Sequence, residues 1–103
     1  MHLVVLHIDD CPSWVEAGRR LQDALRACGF HETEIVYRRV NGPEDAERVL
    51  FAGSPTILRD GEDLFPGNGR TSNLACRVYA TPTGPAGLPT TEQLIDAIDS
   101  RER

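Results

Sequence analysis

The chain has 103 residues, 40% of them hydrophobic, with 11 basic against 16 acidic side chains and a net charge of -5. That length predicts one compact domain over residues 1–103 with little room for a large ligand chamber. The acidic balance argues against nucleic acid and anionic membrane surfaces as partners, because both attract basic proteins. Every basic residue is arginine, so Schiff-base and lysine general-base chemistry are excluded.

The first apolar run, residues 2–8, is rich in branched side chains and reads as a central strand. It is too short for a signal-peptide core or a membrane span, and the expectation is a cytoplasmic protein. Three cysteines is an odd number, which fits cytosolic thiols better than a stapled secreted domain. Asp9-Asp10-Cys11-Pro12 breaks the run, with Cys11 expected at the N-cap of a helix over residues 12–28. Trp14, Ala17, Leu21, Ala24, Leu25 and Cys28 form its apolar stripe, and Gly29 stops it.

Residues 34–40 combine strand formers with charges, as an edge strand does. Asn41-Gly42-Pro43 and the acids Glu44, Asp45 and Glu47 open a shorter helix, expected to end near Gly53. Residues 55–59 read as a third strand, and Asp60-Gly61 predicts a hairpin returning through residues 62–65. Residues 66–89 are expected to be an irregular insertion, bracketing an alternating stretch from Leu74 to Thr81. Thr90-Thr91-Glu92-Gln93 offers a capping box for a terminal helix carrying Leu94, Ile95 and Ile98. The fold class is thus α/β, in the order β-α-β-α-β-β-α, with a mixed four-stranded sheet and helices on both faces.

Cys11-Pro12-Ser13-Trp14 at the start of the first helix and Ser54-Pro55 before the third strand occur in an order that resembles the thioredoxin-like family. The first lies where that family keeps its Cys-x-x-Cys, and the second where it keeps a cis-proline. The resemblance implies a cis bond before Pro55 and a substrate-binding surface made by Trp14, Ser54, Pro55 and Thr56. Trp14 replaces the second cysteine of the motif, so a disulfide within the motif is excluded.

A thiol at Cys11 is favoured as thiolate by helix amides and opposed by Asp9 and Asp10. Cys11 is accordingly the expected attacking thiol and catalytic residue, with Asp10 a candidate proton donor. The hairpin should return the chain after Phe65 toward Cys11, which makes Cys76 a candidate resolving thiol or second metal ligand, with Arg77 beside it favouring ionisation. The competing reading of Cys76 is a small core side chain, since Leu74, Cys76 and Val78 share one face. Cys28 is assigned to the core, and Trp14 either shields the sulfur or packs. His2, His7 and His31 lack metal-ligand spacing.

Three functions follow. The first is thiol–disulfide exchange through Cys11, resolved by Cys76 or a small thiol, with a protein or small-molecule thiol or disulfide as partner. The second is a soft-metal or organomercurial thiol site made of two cysteines and a carboxylate. The third is a thioredoxin-fold binding module without chemistry. No cofactor is indicated, because no glycine-rich turn opens a helix after a strand.

Overall fold

The computed structural model describes residues 1–66 and 74–101, the last of these by its backbone alone. A mixed four-stranded sheet organises the chain. Strand β1 (Leu3–His7) lies inside it, parallel to β2 (Ile35–Arg39) on one side and antiparallel to β3 (Thr56–Arg59) on the other. Strand β4 (Glu62–Asp63) completes the order β2-β1-β3-β4, so the charged β2 is an edge. The hairpin between β3 and β4 turns at Asp60 and Gly61, both at positive φ (51° and 86°). This is the backbone of a type I′ turn, whose twist suits a two-residue connection.

Neighbouring residues of β1 and β3 point to opposite faces, and the core divides accordingly. On one face Leu3, Val5 and Ile57 meet Leu21, Ala24 and Leu25 of α1 (Ser13–Ala27) and Leu94 and Ile98 of α3 (Thr91–Arg101). On the other, Leu6, Ile8 and Leu58 meet Cys11, Val40, Phe51 and Ala46, the last from α2 (Pro43–Arg48). Helix α1 ends in a Schellman arrangement, with the Phe30 amide donating to the Leu25 carbonyl at 2.8 Å and the Gly29 amide to Arg26 at 3.1 Å. Helix α3 begins with a reciprocal capping box: the Thr90 amide donates to Gln93 Oε1 at 2.9 Å, and the Gln93 amide to Thr90 Oγ1 at 3.1 Å.

Three expectations are corrected. The N-cap of α1 is Pro12, not Cys11, which lies one residue earlier. Helix α2 stops at Arg48 rather than near Gly53, and Leu50 at φ 60° turns the chain toward the buried Phe51. Within the stretch 66–89, β5 (Tyr79–Thr81) falls at the end of the alternating stretch as its pattern suggests, but β6 (Gly84–Ala86), read as loop, pairs with it in an antiparallel hairpin. Its prolines disguised it. Pro85 pairs with Ala80 in a two-stranded ribbon, where edge positions tolerate a missing amide donor. Residues 67–73, which belong to the same expected insertion, lie outside the described residues. Among the described residues no helix is long and apolar enough to cross a membrane.

Candidate functional site

The site is built where β1 gives way to α1 and where the chain enters β3. Cys11 follows β1 by four residues and is held by its amide donating to the Ile8 carbonyl at 3.4 Å. It is 2% exposed and packs with Ile8, Val40 and Phe51. The next residue, Pro12, has no side-chain acceptor to offer, so the 15-residue helix α1 starts without a side-chain cap. Positive electrostatic potential from its first-turn amides is therefore left beside Cys11.

Opposite Cys11 lies the segment before β3. Ser54 is buried, the Ser54–Pro55 peptide is cis, and Ser54 Oγ accepts from the Ile8 amide at 3.1 Å, tying this segment to the end of β1. Thr56 is also buried, and its hydroxyl folds back on the Gly53 carbonyl and accepts from the Ala52 amide. A strap of three residues, Ala75-Cys76-Arg77, runs alongside. The Ser54 amide donates to the Ala75 carbonyl and the Arg77 amide to the Ser54 carbonyl, both at 2.9 Å, which makes a parallel bridge between Ser54 and Cys76.

That bridge brings Cys76 onto Cys11, and the two form a disulfide with Cα atoms 5.7 Å apart across 65 residues of sequence. The separation is ordinary for such a bond. The two ends differ in access: Cys11 is buried, Cys76 exposed. The alternating stretch thus faces opposite to its core reading. Leu74, Cys76 and Val78 are exposed, and Arg77 and Tyr79 are buried. The apolar look of the first three had favoured them for the interior, but the buried arginine has partners that only an inward face supplies.

Those partners anchor the strap. The guanidinium of Arg77, 4% exposed, donates to Asp63 at 2.9 Å and to the Phe65 carbonyl, and lies over the Tyr79 ring at 4.6 Å. The charge is thus committed to β4 and not, as expected, to the Cys76 sulfur. The Tyr79 hydroxyl donates to the Pro55 carbonyl, and burial pushes its pKa well above the usual phenol range. Gly53, which the sequence reading takes only as the end of a helix, is what lets the strap approach. Its φ is +103°, and a Cβ there would sit 2.8 Å from Arg77 Cβ and 2.9 Å from Arg77 Cα. The Gly-Ser-Pro-Thr run was the available signal, since a glycine before a turn residue often marks close backbone approach.

The remaining candidates are dispersed around this centre. Trp14 is half-buried on the α1–α3 face, stacked on His7 with centroids 4.0 Å apart and tilted against Tyr37 at 5.6 Å. Its established contacts are packing contacts. His7 is buried, its Nδ1 has no hydrogen-bond partner among the described residues, and desolvation holds its pKa below the ordinary 6.5 despite the nearby Asp9. Asp9 is exposed and paired with Arg39 at 3.1 Å. Asp10 is exposed as well, and lines with Ile8, Val40 and Leu74 a groove of about 260 Å³ that runs beside the disulfide segments. Cys28 is half-buried and unpaired, and desolvation raises its thiol pKa, as a packing role implies. Among the described residues no group of three or more histidines, cysteines or carboxylates is placed to hold a metal ion. No protein-family model, curated protein or solved structure matches the chain.

Proposed function

We propose that this domain performs thiol–disulfide exchange through the Cys11–Cys76 pair, on a thioredoxin-like frame. The observation that carries the reading is the disulfide between a buried cysteine before an uncapped helix and an exposed cysteine bridged to Ser54, next to the cis Ser54–Pro55 peptide. The element order β1-α1-β2-α2-β3-β4-α3, interrupted by one hairpin, supports the frame.

In the exchange, the reduced domain gives two electrons to a disulfide-bearing substrate. One cysteine thiolate attacks a substrate sulfur, the substrate S–S bond breaks, and its other sulfur leaves as thiolate. The second cysteine then attacks the mixed disulfide, releasing the second substrate thiolate and closing Cys11–Cys76. Substrate is a disulfide, of protein or small molecule. The helix amides favour thiolate at Cys11, and Ser54 holds Cys76 within bonding reach.

The test follows closure and opening of Cys11–Cys76 by mass spectrometry in buffers of reduced and oxidised glutathione, on folded protein. Exchange much faster than global unfolding supports the reading. A disulfide that reacts only as the chain unfolds would make the bond a structural staple.

A further inference from the structure

The two sulfurs of the pair are not equivalent, and their difference runs against the sequence expectation that Cys11 attacks. We infer that Cys76 is the sulfur through which substrate exchanges, and that buried Cys11 is the resolving and leaving sulfur. This rests on the exchange reading and adds direction to it.

Access decides first, because an attacking thiolate must approach the disulfide along the line of its S–S bond. Cys11 is 2% exposed within a buried cluster that includes Ile8, Val40 and Phe51, while Cys76 is an exposed residue of the strap, between exposed Leu74 and the 61% exposed Val78. An incoming thiolate therefore reaches Cys76. The bond to Cys11 breaks, its electron pair stays on the Cys11 sulfur, and the charge develops beside the uncapped start of α1. The incoming group is left in a mixed disulfide with Cys76. By microscopic reversibility the reduced domain works in the opposite sense: the Cys76 thiolate attacks a substrate disulfide, and Cys11 displaces the substrate thiolate from Cys76.

Anchorage supports the same assignment. Cys76 sits between an Ala75 carbonyl held by the Ser54 amide and an Arg77 side chain fixed to Asp63 and Phe65, with Tyr79 bonded to Pro55. None of these bonds involves sulfur. They persist when the disulfide opens, so the outer cysteine stays in register over Cys11 while it carries a substrate.

The assignment is tested by mixing oxidised folded protein with reduced glutathione, quenching with acid within the exchange time, digesting with pepsin, and mapping the adducts. Glutathione on Cys76 in roughly tenfold or greater excess over Cys11 is the expected result. Unpaired Cys28 serves as the internal control, since a thiol cannot add to a thiol. Because closure from Cys11 shortens the life of the adduct, a second arm challenges reduced Cys11→Ser and Cys76→Ser proteins with glutathione disulfide. Cys76 in the first should be modified roughly tenfold faster than Cys11 in the second. Adducts at Cys11 equal to or exceeding those at Cys76 would overturn the assignment and leave exchange intact. Adducts at neither site until the chain unfolds would overturn the exchange reading, and this one with it.

Discussion

Reducing the Cys11–Cys76 bond should cost the domain about 4 kcal/mol of stability. The bond spans 65 residues, and in the chain-entropy view closing 15 residues is worth about 3 kcal/mol and closing 100 about 4.7. The native side adds little correction. Cα atoms 5.7 Å apart need no backbone shift to be bridged, and the Ser54, Arg77 and Tyr79 bonds hold the strap in either state. Linkage turns the same quantity into a redox prediction. What the disulfide adds to folding, folding adds to the disulfide, so the folded pair should be harder to reduce than the unfolded pair by about 90 mV, at about 30 mV per 1.4 kcal/mol. Two assays close the cycle: urea unfolding of the oxidised and reduced forms, and glutathione equilibration of the pair in native buffer and in denaturant. Reduction should also lower Tm by roughly 15–20 °C for a domain of this size. Equal stability of the two forms would refute the reasoning, as would a potential shift that disagrees with the unfolding difference.

Other perturbations separate the strap from the rest of the core. Gly53→Ala forces a side chain into positive φ and against the Arg77 backbone, and should destabilise by about 2–4 kcal/mol, with faster reduction of the disulfide by dithiothreitol; an unchanged reduction rate would mean the strap does not depend on that approach. Arg77→Met removes the cation that Asp63 faces at 2.9 Å and should cost about 1–3 kcal/mol by urea unfolding, part of which Arg77→Met with Asp63→Asn should restore; additivity of the two would deny the coupling. His7 gives the pH dependence. Its folded pKa lies below the ordinary 6.5, so the unfolded chain takes the proton first. Stability held by the neutral ring is complete above about pH 6.5 and is lost as pH falls from there through the folded value. His7→Phe keeps the stack on Trp14 and should flatten the urea-derived stability curve just below about pH 6.5; an unaltered slope would place the titration elsewhere.

How much of this was legible in the sequence depended on how local each determinant is. Asp60-Gly61 carries its turn in two residues, Thr90 and Gln93 carry a helix start in four, and the stripe from Ala17 to Leu25 repeats at the helical period; these elements stand where the pattern puts them. Where a long-range contact decides, the pattern misleads. The alternation from Leu74 to Val78 has the right period, but its faces are set by Arg77 finding Asp63 and the Phe65 carbonyl, and period alone cannot rank an arginine above a leucine for burial. The β5–β6 hairpin was hidden for a related reason, since Pro82, Gly84 and Pro85 are loop composition until Thr81 bonds the Gly84 carbonyl and Gln93 reaches the Ala80 carbonyl from α3. The same contact that buries Arg77 leaves its neighbour Cys76 an exposed residue, because neighbours in an extended strap face opposite ways. Which side of the strap is buried at this point is thus set by an ion pair that spans fourteen residues of sequence, from Asp63 to Arg77, and not by the cysteine motif at the helix start.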